Sequence, residues 1–298
     1  MRDFPSCFGE NGVQVADSST TNAAKNAHNL TTRIYQAKLR GRSCLITVAW
    51  NKNMMGQGLS VGIDDCSSNQ SLCKVDIKPW LFSKRKGSKT LESYSTLIDV
   101  YWDLSAVKFG SGPEPSEGFY VAVVVDRQMI LLLGDLRKEA FKKTGACLAP
   151  STASFVAKRE HIFGKKVFVT KAQFCDNGQL HDLAIQCDTS IQDLSLVIQI
   201  DRKPMMQVKR LQWKFRGNHT ILVDGLAVEV YWDVYNWLFG SGAASGNAVF
   251  MFSLSADKSW VSPSHTLGDS WSFPQRFLDT KSSHSLGFSL ILHAWKNE

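Results

Sequence analysis

The sequence lacks most of the features that would give a function quickly. No run approaches 18 uninterrupted apolar residues, so the sequence predicts no transmembrane helix. The opening "MRDFPSCFGENGVQVADSS" has no apolar stretch after its first charge and does not read as a signal peptide. Position 2 is Arg, which excludes N-myristoylation there. No CxxC pair occurs, and the seven histidines show neither HxxxH nor HExxH spacing. There is no P-loop, G-x-S-x-G elbow or kinase signature, and the GxG of "GQGLSVG" (56–62) is not followed by a helix, so it reads as a β-turn. No metal, cofactor or catalytic residue is expected. Seven cysteines, an odd and scattered set, read as reduced thiols of a cytosolic or nuclear protein.

What is present is a 298-residue chain, 44% hydrophobic and 20% charged, with nine Trp and 17 Phe to fill one or two cores. Its net charge of +7 permits an anionic partner without requiring one. Residues 1–29 are rich in Ser, Thr, Asn and Gly and are expected to be a disordered tail. From residue 30 apolar positions alternate, as in "RIYQAKLR" and "SCLITVAW". Period two over short runs means half-buried strands. "FYVAVVVDRQMILLLGD" reads as two buried strands turning at Asp126–Arg127. "LRKEAFKKT" (136–144) is the one convincing helix, and "GACLAPSTAS" (145–154) reads as a linker.

One string occurs twice. "YWDLSAVKFGSG" (101–112) and "YWDVYNWLFGSG" (231–242) share seven of twelve positions. The likeness extends outward: "GLSVGID" matches "LSLVIQID", "PWLFSKRKGSKTL" matches "QWKFRGNHTIL", and "QMILLLGDL" matches "FSLILHAWK". The sequence therefore predicts an all-β protein of two duplicated antiparallel halves, sandwiches or open barrels. They span about 30–145 and 155–298, the second with an insertion at 256–285. Within the string, Trp102 and Trp232 should plug the core. Asp103 and Asp233 suit helix N-caps, Phe109 and Phe239 would close the turn, and Gly110 and Gly240 suit a positive-φ stop. A catalytic Asp would need a repeated base, nucleophile or metal partner, and position 235 is Tyr where 105 is Ser. The motif is read as scaffold.

"PSCFGENGVQVAD", "IDVYWDLSAVKFGSGPEPSEGFYVAVVVD", "LLLGDLRKEAFKK", "VYWDVYNWLF" and "GFSLILHAWKNE" together resemble the plant-specific family of unknown function DUF868. The resemblance runs over essentially the whole chain. It implies a land-plant protein and supplies no activity or cofactor.

Basic residues cluster at 83–89, 157–166 and 208–216. The first places Lys84, Arg85, Lys86 and Lys89 on a predicted hairpin tip, a candidate contact for phosphates or lipid headgroups, with a solvated turn as the alternative. Ser88 is a conceivable phosphorylation site and Cys7 a conceivable acylation site. "PEP" (113–115) reads as a surface turn. The reading is a non-catalytic binding or adaptor protein, with a protein partner and possible attachment to an anionic membrane surface. A carrier or enzyme with a β cavity, and a nucleic-acid binder, remain the alternatives.

Overall fold

The computed structural model describes residues 30–296, except 54–55, 69, 78–84, 94–95, 111, 150–151, 176–177, 189–193, 241–245 and 255–287. The expected tail over 1–29 and the insertion at 256–285 thus lie outside the described residues.

The chain opens with an antiparallel meander of β1 (Leu30–Leu39), β2 (Arg42–Asn53), β3 (Gly56–Asp65) and β4 (Ser71–Ile77). Then follow β5 (Lys86–Ser93), β6 (Thr96–Asp103), the short pair β7 (Lys108–Phe109) and β8 (Pro115–Glu117), β9 (Tyr120–Val125), β10 (Gln128–Gly134), α1 (Arg137–Thr144) and β11 (Cys147–Leu148). β12 (Ser154–Gly164) leads into a second meander of β13 (Val167–Gln173), β14 (Leu180–Asp188), β15 (Ser195–Ile200) and β16 (Lys203–Lys209). Last come β17 (Arg216–Val223), β18 (Leu226–Asp233), α2 (Tyr235–Phe239), β19 (Ala248–Ser253) and β20 (Ser289–Lys296).

The all-β reading holds, but the halves are not two separate sandwiches, and none of the described sheets closes into a barrel. One nine-stranded sheet, β17-β18-β19-β20-β12-β1-β2-β3-β4, runs through both halves. Its centre is β12, antiparallel to β1 and parallel to β20. A five-stranded sheet, β11-β10-β9-β6-β5, packs over the β1–β4 side, where Trp50 meets Phe119 edge-on at 5.5 Å. A four-stranded sheet, β13-β14-β15-β16, packs over the β17–β20 side, where Phe168 stacks on Trp237 at 4.7 Å and Phe174 meets Phe252 at 6.0 Å. A single core runs under both small sheets, from Val61 and Val100 through Phe155 to Ile198 and Phe250. Each fully buried large aliphatic or Phe side chain contributes about 1.5–3 kcal/mol by leaving water.

Local chemistry sets the turns. Arg40–Gly41, Asp126–Arg127, Asp201–Arg202 and Asp224–Gly225 all have positive φ at both positions. This two-residue geometry matches the twist of the flanking strands. Helix α1 ends as its sequence predicts: Gly145 takes φ 59° and its N–H donates to the Phe141 carbonyl at 2.9 Å. Two expectations fail here. The 56–62 glycines lie inside β3, where a strand flanked on both sides leaves no turn. The expected linker at 145–154 carries β11 and the start of β12, tied to β10 by Ala149 N–H to Met129 O and Ala153 N–H to Ile130 O.

Candidate functional site

The repeated string is held the same way in both places. Trp102 lies opposite Gly87 and Trp232 opposite Gly217 in the strand ladders. A Cβ on either glycine would come within 2.8 Å of the Trp102 ring or 2.2 Å of the Trp232 ring, so each indole rests on bare backbone. Asp103 accepts from the Lys86 ammonium at 2.7 Å and from Ser105 N–H at 3.1 Å. Asp233 accepts from Arg216 Nε at 2.8 Å and from Tyr235 N–H at 3.0 Å. Leu104 N–H donates to Arg85 O, and Val234 N–H to Phe215 O. Burial alone would raise the Asp103 carboxyl, but Lys86 and Ser105 outweigh it and hold it below the usual range. Each Asp therefore pins the end of its own strand to the neighbouring strand.

Three details differ from the sequence reading. The first copy has no helix after Asp103; it turns into β7, and only the second forms α2, whose N-cap is Val234. The glycines are not left-handed stops: Gly240 is extended (φ −66°, ψ 120°) and Gly110 has no positive φ. Gly240 answers crowding instead, since a Cβ there would lie 2.5 Å from Asn236 O. Phe109 is half-buried, but Phe239 is 47% exposed and joins Phe215 and Tyr235 in a surface cluster with ring separations of 5.1–5.6 Å.

The expected basic hairpin tip takes another form. Lys84 lies outside the described residues. Arg85 precedes β5, and Lys86 and Lys89 lie in β5 itself, an edge strand of the five-stranded sheet, so the basic residues run along a ladder. Lys86 is committed to Asp103, and Lys89 Nζ donates to Lys74 O at 3.4 Å, bridging towards edge strand β4. Ser88 is exposed in the same strand; Cys7 lies outside the described residues. The 157–166 cluster divides: Lys158 and Arg159 lie in the central strand β12, where Lys158 is 13% exposed and bonds Glu160 at 2.8 Å, and Lys165 and Lys166 are exposed in the turn that follows. Nor is "PEP" a free turn: Pro113 and Pro115 are buried, and Glu114 reaches into the seam between the small sheets to pair with Arg33 and Lys158.

The third cluster forms the most open basic site. Edge strand β16 of the four-stranded sheet and edge strand β17 of the nine-stranded sheet flank a groove of about 400 Å3, lined by Gln207, Lys209, Lys214, Arg216, Asn218 and His219. The β4-to-β5 junction has the sheets the other way round: β4 edges the nine-stranded sheet and β5 the five-stranded one. From Arg202 to Val223 there are six Lys and Arg and no Asp or Glu. Arg216 is held by Asp233 and lies over the Phe215 and Tyr235 rings at 5.6 and 5.4 Å. Among the described residues Lys209, Arg210 and Lys214 form no ion pair. Between them the turn residue Trp213 is 80% exposed. The sequence marked this stretch as basic but gave no sign that Trp213 would face outward, unlike Trp50, Trp102, Trp232 and Trp237, which are buried.

A further cluster ties sheets together. His181 of β14 is buried, with Nδ1 2.7 Å from Asp201 and Nε2 2.8 Å from Asp224. Asp201 sits in the β15–β16 turn and Asp224 in the β17–β18 turn, so the ring joins the four-stranded to the nine-stranded sheet. Both nitrogens facing carboxylates requires the imidazolium, because a neutral ring presents one lone pair. Burial pulls the ring's pKa down, yet the two carboxylates together raise it above its ordinary 6.5. Among the described residues no three His, Cys, Asp or Glu come together as a metal site, and no helix is long and apolar enough to cross a membrane.

No curated protein and no solved structure matches the chain significantly. A family model for a plant protein of unknown function, DUF868, matches residues 26–296. The long motifs around Trp102 and Trp232, and the fold built on them, are thus those of a DUF868 protein, and the chain belongs to that family.

Proposed function

We propose that this is a non-catalytic binding protein, a duplicated β scaffold that attaches to an anionic membrane surface through the β16–β17 groove. The observation that carries this is Trp213, exposed at the tip of a turn among three cations without ion-pair partners in the described residues. An indole with an apolar body and a polar N–H suits the headgroup level of a bilayer. Each Lys or Arg near an anionic surface adds about 1 kcal/mol of attraction at low screening. Phe239, exposed beside Phe215 and Tyr235, extends the apolar rim; the ring in the groove's lining, Trp232, is buried, whereas a nucleic-acid groove would expose stacking rings along its floor. The matched Gly–Trp and cation–Asp contacts of the two halves support the duplication. A protein partner would be carried by the loops at 113–118 and 256–285; the second lies outside the described residues, and Glu114 draws the first inward.

The test is sedimentation with vesicles of phosphatidylcholine alone or with added phosphatidylserine. The paired substitution Lys209→Glu and Lys214→Glu should abolish binding to the anionic vesicles, and Trp213→Ala should weaken it several-fold. Equal binding of all variants would remove the groove from the account.

A further inference from the structure

A second cleft, remote in the strand order from the basic groove, lies where the two small sheets approach each other over the centre of the nine-stranded sheet. Its volume is about 290 Å3, at the small end of ligand pockets, which run from about 300 to 1,000 Å3. One wall is the edge of β10, which β11 stops covering at Met129. The opposite wall is Tyr35 and Phe155, whose rings lie 5.2 Å apart. The side chains of these walls are apolar, while polar atoms make up the larger share of the cleft's exposed surface.

The polar groups that face this wall are cationic or neutral. Arg33 lies over the Phe155 ring at 5.5 Å. Arg137, the first residue of α1, is exposed at the cleft and forms no ion pair among the described residues. Gln173 uses its Nε2 on Cys175 O, which leaves its side-chain oxygen out of that bond, and Thr152 is an exposed part of the lining. Among the described residues no carboxylate lines the cleft. The nearest in the contact network, Glu114, already serves both Arg33 and Lys158, and Glu160 serves Lys158 and Thr170. The seam therefore balances its own two cations with two anions, and Arg137 remains over. A guanidinium with no ion pair among the described residues, set beside apolar side chains and aromatic rings, suits one class of ligand: a small organic acid with a carboxylate head and an apolar body. Arg recognises a carboxylate by paired N–H donors, and the apolar body gains by leaving water.

We propose that this cleft binds a small amphipathic carboxylic acid, with Arg137 taking the carboxylate and the side chains of β10, Tyr35 and Phe155 taking the apolar body. The site is independent of the membrane-facing groove.

Isothermal titration with decanoate tests it on the full chain. Decanoate should bind saturably at one site, and decanol, which keeps the tail and lacks the charge, at least tenfold more weakly. Arg137→Gln should weaken decanoate about tenfold while Arg137→Lys keeps part of the affinity. Because Arg137 is exposed, neither change should unfold the protein. Thr152→Trp at the rim should block entry. The Lys209→Glu, Lys214→Glu variant should bind decanoate as the unchanged chain does. Non-saturable decanoate heats, decanol binding as tightly as decanoate, or affinity unmoved by both Arg137→Gln and Thr152→Trp would overturn the proposal.

Discussion

Trp232 leaves no room for a side chain at position 217. Gly217→Ala should therefore push the indole or the strand and cost about 1–3 kcal/mol, read as a lower urea midpoint. Gly110→Ala, with nothing within 4 Å of its Cβ, should leave the midpoint unchanged. The sequence showed that Ile98, Val100 and Trp102 share a face, and all three are buried. It could not show that a glycine fifteen residues earlier is the floor under the ring, because a cross-strand neighbour depends on register. The same limit hid His181, whose partners are 20 and 43 residues away. This residue gives the clearest pH dependence. Its folded pKa is raised, so its stabilisation is complete below its ordinary 6.5 and is lost as pH rises through the folded value. Melting temperature should fall over that rise in the unchanged chain, and the fall should shrink in His181→Gln. An equal fall in both would show that the clamp does not hold the sheets.

At the level of elements, β5 and β17 are edge strands whose ends are pinned by Asp103 and Asp233. Asp103→Asn keeps the shape and removes the charge. Because Lys86 is more than half exposed, the loss should be only about 1 kcal/mol after solvent screening, measured by urea denaturation. The hairpins were legible, since Asp126–Arg127 sits between two continuous apolar runs and Arg40–Gly41 between two alternating ones. The helix after the repeated Asp was not: Ser105-Ala106-Val107 and Tyr235-Asn236-Trp237 share the Asp before them and not the local preference after it. The second buries Trp237, whose Nε1 donates to Ala294 O at 3.1 Å, where the first has only the partly buried Val107. The basic edge shows the same division. Composition marked both 83–89 and 208–216, but burial of Lys86's partner and exposure of Trp213 decide which edge remains open for binding.

At the level of the whole molecule, the feature least legible in the sequence is the shared sheet. Thr31 pairs with Glu160, and no local signal announces a ladder over such a separation. One continuous core implies that the halves unfold together. The cysteines report this. Burial pushes the Cys44 and Cys73 thiols up to about 11, whereas Cys147 is exposed. Iodoacetamide should label Cys147 in the native protein, and should reach Cys44, Cys73 and Cys187 together only in denaturant. Labelling of Cys187 before Cys44 would mean that the second half opens alone.

Attachment to an anionic membrane through the groove around Trp213 is open to one decisive measurement: sedimentation of the unchanged chain with neutral and phosphatidylserine-containing vesicles at low and high salt. A single-stranded oligonucleotide serves as competitor. The protein should be recovered with the anionic vesicles only, be lost from them at high salt, and stay on them in the presence of the oligonucleotide. Recovery with neither vesicle, or oligonucleotide binding that displaces the vesicles, would contradict the attachment.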